Sequence, residues 1–67
     1  MTTSHPTDIE FYANHTDEQI EAVVERMTAT SAYIAINSGS DHFLALEAMS
    51  TANAAWTALQ IRKARAA

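Results

Sequence analysis

The residues best suited to chemistry are three histidines with carboxylates near them, because imidazole and carboxylate groups are common protein ligands of zinc. They are His5, His15 and His42, with Asp8, Asp17, Asp41 and Glu47. Their spacing forms no metal-binding pattern. His42 and Glu47 are five residues apart, which turns them to opposite sides of a helix, and no HExxH or ExxH pair exists. We therefore expect solvated histidines near helix starts, with no metal and no cofactor.

Other catalytic patterns are weak as well. Asp8, Glu10 and the acids that follow Thr16 could supply two carboxylates for acid and base catalysis, but such a pair needs a water-excluding pocket that two helices do not form. With a single glycine, the chain has no GxxxxGKS/T or GxGxxG segment for phosphate, and its serines lie in no GxSxG elbow. The sequence predicts a protein that is not an enzyme.

Size, charge and composition narrow the choice of partners. The chain has 67 residues, no cysteine and a net charge of −4, so it forms one small domain without disulfides. A negative charge gives no electrostatic reason for a nucleic acid or an anionic membrane as partner. The longest apolar run, 32–36, is too short to cross a membrane, and the polar N-terminus is no signal peptide. We expect a cytoplasmic protein, of the kind of a small bacterial or phage accessory protein.

Two long helices are predicted from capping signals and from the spacing of apolar residues. A capping box begins at Thr16, and the apolar residues after it recur at helical spacing, which predicts a first helix over about 17–36. Ser40 can supply the N-cap of a second helix over about 41–64. Abundant alanine, with one glycine and one proline, also favours an all-α protein.

A tight turn must join these helices. Asn37 and Gly39 can both adopt the left-handed conformation that ends a helix. In an antiparallel pair, the acids of the first helix lie opposite the basic end of the second. The predicted fold is therefore an all-α, antiparallel two-helix hairpin over residues 16–67.

Residues 1–15 are predicted to form an N-terminal arm that docks on this hairpin. Thr7 can cap a short helix over about 8–13. The apolar side chains of that helix are Ile9, Phe11 and Tyr12. Leaving them in water would forfeit burial worth roughly 1.5–3 kcal/mol for each, so we expect them to pack on the hairpin.

Alanines and one tryptophan are predicted to line the contact between the helices. The stripe of the second helix assigned to this contact comprises Ala45, Met49, Ala52, Trp56 and Leu59. Small residues allow close approach of the two helices, and the single large Trp56 is expected to pack in the core between them.

The closed end of the hairpin, next to the turn, carries more apolar side chains than two helices can bury. They are Tyr33, Ile36, Phe43, Leu44 and Leu46. Because two helices hide only their facing stripes, we predict that these five residues bind a partner. A second copy of the chain, giving a dimeric four-helix bundle, is the favoured occupant. The alternatives are the arm of the same chain and a larger protein partner.

The function predicted from these features is a non-enzymatic protein–protein interaction module, such as an adaptor, inhibitor or assembly component. It would act through self-association and through the apolar surface near the turn. The alternative is a small dimeric nucleic-acid-associated regulator that uses a basic C-terminal tail. The tail comprises Arg62, Lys63 and Arg65. Three cations without interleaved aromatic residues are more simply explained as a helix C-terminus.

Overall fold

The protein consists of one short 3-10 helix and two long α-helices. The computed structural model describes residues 5–66. The 3-10 helix spans Ile9–Tyr12, α1 spans Asp17–Ser38 and α2 spans Phe43–Ala66. α1 packs against α2, and the 3-10 helix packs on α2. The predicted all-α hairpin is confirmed, and each long helix ends two residues beyond its predicted limit.

α1 begins with the predicted capping box. The Thr16 hydroxyl accepts from the Gln19 N–H at 3.1 Å, and Gln19 Oε1 accepts from the Thr16 N–H at 2.8 Å. These bonds satisfy N–H groups that the first turn of a helix leaves without an internal partner. Asp17 and Glu18 follow in the first turn, where negative charge is favoured by the helix dipole.

Gly39 ends α1. Its φ is 101°, and its N–H donates to the Ala35 carbonyl at 3.0 Å. This φ is strained for any residue with a Cβ, and a Cβ here would lie 3.2 Å from Asp41 Oδ1. Within residues 5–66, no residue other than glycine has a positive φ. Asn37 therefore stays inside the helix, where its Nδ2 donates to the Tyr33 carbonyl at 2.8 Å.

His42 takes the capping position of α2. The prediction that Ser40 caps this helix is wrong, since α2 begins at Phe43. The ring Nδ1 of His42 accepts from the Leu44 N–H at 3.2 Å, and the His42 carbonyl accepts from the Ala45 N–H at 3.0 Å. An imidazole can do this because its unprotonated nitrogen carries a free electron pair, as a capping oxygen does.

The arm also starts differently from the prediction. Instead of a helix over about 8–13 capped by Thr7, a single 3-10 turn forms, and Asp8 before it makes no side-chain capping bond. The Thr7 hydroxyl lies 2.9 Å from the ring Nδ1 of His5, and this nitrogen also accepts from the Thr7 N–H. The turn is closed by i to i+3 bonds, in which the Phe11 N–H donates to the Asp8 carbonyl and the Ala13 N–H to the Glu10 carbonyl, both at 3.1 Å, and such short runs are typical of 3-10 helices.

Alanine dominates the face of α2 that contacts α1. Buried side chains recur after three and then four residues along this face, at Ala45, Ala48, Ala52, Ala55 and Leu59. This seven-residue repeat keeps one side of α2 against its neighbour along the whole helix. Because alanine is small, the two helix axes can come close together.

Trp56 lies outside this contact, so the prediction that it packs in the core is wrong. Its side chain is 55% exposed. Ala55 takes the buried position, and one residue further along α2 is about 100° further around the helix. Met49 is 41% exposed for the same reason, because Ala48 is buried in its place.

One buried hydrogen bond joins the helices near the turn. The Ser31 hydroxyl of α1 donates to the Ala45 carbonyl of α2 at 2.9 Å. Ser31 is buried, and an unpaired hydroxyl there would be costly. The bond therefore favours a single alignment of α1 along α2 at the closed end.

We expect Gly39→Ala to lower the free energy of unfolding by about 1–2 kcal/mol, because the left-handed backbone is strained by a Cβ. Ser40→Ala should change it by less than about 0.5 kcal/mol, since Ser40 does not cap α2. Urea unfolding followed by far-ultraviolet circular dichroism measures both. An equal loss in both variants would show that Ser40 has the capping role after all.

Candidate functional site

The aromatic residues of the arm pack at the open end of the hairpin. Tyr12 is 1% exposed and forms a buried cluster with Ile20, Ala55 and Leu59, against which Phe11 packs. These contacts lie far along both helices from the turn at Gly39. The alternative in which the arm folds over the closed end is therefore wrong, and the apolar side chains near the turn are left without it.

Arg62 fastens the arm to the hairpin. Its guanidinium donates to the carbonyls of Tyr12 and Ala13, at 2.6 and 3.0 Å, and to Asp17 Oδ1 at 3.1 Å. The planar guanidinium can make several such bonds at once. Pairing of the basic end of α2 with the first turn of α1 was expected from the sequence, and the Arg62–Asp17 pair shows it. The bonds to the arm gave no signal in the sequence.

The three cations predicted for nucleic-acid binding do not share one surface. Arg62 is engaged as described above. Lys63 borders a shallow hollow together with Glu21 and Glu25, whereas Arg65 borders another with Glu10. Lys63 and Arg65 are about 200° apart around the helix. Arg62 and Arg65 line the same hollow with Glu10, whereas Lys63 lies apart from them beside Glu21 and Glu25, so the three cations do not form one basic surface.

The histidines take part in local structure. His5 contacts Thr7, and His42 caps α2 through its ring nitrogen. The His15 ring lies 5.2 Å from the Phe11 ring, measured between centroids. Across residues 5–66, no three side chains of the metal-ligating types come together as a metal site would require.

All five side chains predicted to bind a partner are exposed. The exposed fractions are 69% for Tyr33, 84% for Ile36, 67% for Phe43, 46% for Leu44 and 55% for Leu46. They surround the closed end of the hairpin and do not form one compact patch. Leu46 borders the groove between the helices, and Tyr33 and Ile36 lie on α1 one turn apart.

The closed half of the hairpin is also nearly free of charge. In residues 28–61 the only charged side chains are Asp41, in the turn, and Glu47. Surfaces that remain in water usually carry roughly a quarter to a third of charged residues. A surface without charge and with large exposed apolar side chains is typical of a binding surface. Neither long helix described here has the length and hydropathy needed to span a membrane.

A second apolar surface was missed by the sequence interpretation. One side of the groove between α1 and α2 is open and contains two shallow hollows. We call this side the groove face; its residues are Val24, Thr28, Ala35, Leu46, Met49 and Trp56. The signal that could have revealed it is the seven-residue repeat of alanines, which assigns Ala48 and Ala55 to the core and leaves Met49 and Trp56 outside.

Comparison with known proteins was made by sequence and by structure. No family model, curated protein or solved structure matches this chain. The function is therefore argued from the surface of this protein alone.

We expect Arg62→Gln to lower the free energy of unfolding by about 1–3 kcal/mol, because it removes charge-assisted hydrogen bonds to the arm. The matched change Arg65→Gln should cost less than about 0.5 kcal/mol, since Arg65 is an exposed cation. Urea unfolding compares the two variants. Equal stability of both would mean that Arg62 does not hold the arm.

Alkaline pH should weaken the docking of the arm. Burial raises the pKa of the Tyr12 phenol above its ordinary value of 10.0, and its hydroxyl donates to the Pro6 carbonyl at 2.6 Å. The neutral phenol is thus favoured in the folded state. The contribution of the buried phenol to stability is complete below the pKa of Tyr12 in the unfolded chain, which is about 10. It is lost as the pH rises through the higher pKa of Tyr12 in the folded protein.

Unfolding free energies measured between about pH 8 and 12 test this expectation. Tyr12→Phe should reduce the loss of stability at high pH, although it also removes the bond to Pro6. Tyr33→Phe is the matched control, because Tyr33 is exposed and should leave the pH dependence as in the wild type. Identical pH profiles for the wild type and Tyr12→Phe would contradict the role given to the buried phenol.

Proposed function

We propose that this protein is a non-enzymatic protein–protein interaction module that self-associates as a dimeric four-helix bundle and presents its closed end to a larger protein. It would serve as an adaptor, an inhibitor or an assembly component. The observation that carries the proposal is the closed half of the hairpin, which has few charges and where Tyr33, Ile36 and Phe43 are each at least two-thirds exposed.

The size of the core supports a need for further burial. Besides Tyr12, Ile20 and Leu59, the buried apolar residues of the described chain are all alanines. A domain of this size buries only about 60% of the surface of its unfolded chain. The radius of gyration is 12.7 Å, whereas a compact domain of this length has about 11 Å. Association with another chain is a common way to add burial to such a small fold.

The exposed side chains offer enough free energy for association. Full burial of one large apolar side chain is worth roughly 1.5–3 kcal/mol, and association of two proteins costs about 4–15 kcal/mol in lost freedom. Five such side chains surround the turn in each copy, and two copies double the number. Partial burial of this set is sufficient to offset the cost.

The nucleic-acid alternative has less support. Of its three cations, Arg62 donates to Asp17 and to the arm. Lys63 and Arg65 point to different sides of α2 and have acidic neighbours. A negative net charge further weakens attraction to phosphates. We therefore keep the interaction module as the proposed function.

Sedimentation velocity over a dilution series tests self-association. We expect a species heavier than the 7.3 kDa chain at high concentration. If the closed end carries the contact between copies, the double variant Tyr33→Ser and Phe43→Ser shifts toward monomer; if the closed end is left for a larger protein, the double variant sediments as the wild type does. Both side chains are exposed, so circular dichroism should show an intact helical fold. The matched control is Ala22→Ser, an exposed position in the charged half of α1, which should sediment as the wild type does.

A strictly monomeric wild type at every concentration would contradict the proposed dimer. If the double variant merely unfolds, the single variant Ile36→Ser gives a second test. Ile36 is 84% exposed and has little folded contact to lose.

A further inference from the structure

The groove face defined above carries a more specific inference about how two copies meet. We propose that a second copy of this chain packs on the groove face, related by a twofold axis parallel to the helices, with the open ends of both hairpins at the same end. This inference rests on the proposed self-association and assigns it a surface and an orientation.

The two sides of the hairpin groove differ in what covers them. On one side the arm lies over the helices, where Phe11 and Tyr12 border a hollow with Val23 and Met27. On the other side, no residue of the described part of the arm, 5–15, lines the hollows formed by Met49 and Trp56. The groove face is thus the side on which a second hairpin can pack without displacing the arm.

The chain exposes more area than a compact monomer of its mass. Its exposed area is 4853 Å², whereas a compact monomer of 7.3 kDa exposes roughly 4200 Å². A standard interface buries about 800 Å² of each partner. Met49 and Trp56, at 41% and 55% exposed, are the large side chains available for burial in the middle of the face.

The occupant is a second copy because the face is self-complementary in charge. Charges border it only at the open end, where Glu21 and Glu25 of α1 lie near Lys63 of α2. A twofold axis parallel to the helices places α1 of one copy over α2 of the other. Glu21 and Glu25 then face the partner's Lys63, and opposite charges at an interface rim favour that register.

The opposite orientation lacks this match. An axis perpendicular to the helices, in the plane of the groove face, would place each open end over the closed end of the other copy. Glu21 and Glu25 would then keep Lys63 of their own chain as a neighbour but would face no cation of the partner. In either orientation every helix lies antiparallel to its neighbours, so the charges, and not the helix directions, distinguish the two arrangements.

Two adjacent residues of α2 allow a matched test of the face. Met49→Lys places a charge in the middle of the proposed interface, while Ser50→Lys makes the same change of charge about 100° away on the helix. Both positions are exposed, so neither change disturbs the core. Sedimentation equilibrium should give a dimer dissociation constant at least about tenfold higher for Met49→Lys and within about threefold of wild type for Ser50→Lys.

The outcomes separate this inference from the proposed function. If Met49→Lys dimerises as tightly as Ser50→Lys while the Tyr33 and Phe43 double variant dissociates, the groove face is not the interface, although self-association stands. A wild type that stays at 7.3 kDa at all concentrations overturns both. A selective loss of dimer in Met49→Lys supports the groove face.

Spin labels test the orientation. The chain has no cysteine, so Ser38→Cys gives a single labelling site at the closed end of α1. With both closed ends together, we expect a label-to-label distance below about 25 Å. The opposite orientation separates the two sites by about the length of a helix of this size, roughly 33–36 Å. The longer distance would overturn the proposed arrangement. Dilution below the dissociation constant of the dimer should remove the short distance.

Discussion

The close contact between α1 and α2 depends on the alanines of α2, and most other features follow from it. Ala48, Ala52 and Ala55 present almost flat surface to α1, so the helices pack closely but bury few large side chains. The residues next in sequence to these alanines then point away from the contact. Met49 and Trp56 are exposed for this reason, although they are among the largest apolar residues in the chain.

The arm supplies a large buried side chain, which the contact between α1 and α2 lacks. Tyr12 enters the buried cluster beside Ile20 and Leu59, and Arg62 fixes the arm through its carbonyls. This adds burial at the open end, and the arm reaches as far as a hollow beside Glu47 and Thr51. At the closed end, the helices are joined by the Ser31 bond and by the turn at Gly39, and no third element within residues 5–66 lies over them. Because the arm adds burial at the open end and not at the closed end, the apolar side chains near the turn stay in water. This exposure motivates the proposed interaction surface.

Local signals in the sequence were sufficient to predict the two long helices, whereas the features that the sequence did not reveal depend on tertiary contacts. The Thr16 capping box and Gly39 were predicted because their hydrogen bonds connect near neighbours in the chain. The role of His42 was missed, since a ring nitrogen is a less usual cap than a hydroxyl. Trp56 was wrongly assigned to the core because its spacing from Ala52 and Ala45 also fits one side of a helix. Only the seven-residue repeat that runs through Ala55 places Trp56 outside the contact between the helices. The exposure of the five predicted site residues could be predicted, because the closed end carries more apolar side chains than the facing sides of two helices can bury. What binds there stays a prediction.

The central claim is that the hairpin self-associates, so that exposed apolar side chains are covered by a second copy of the chain when the protein is assembled. The dependence of thermal stability on protein concentration tests this most directly, because a partner that binds only the folded chain stabilises it by mass action. We predict that the unfolding midpoint rises steadily as the concentration is raised about a hundredfold. A midpoint that is the same at all concentrations, in a chain that unfolds cooperatively, would contradict the account.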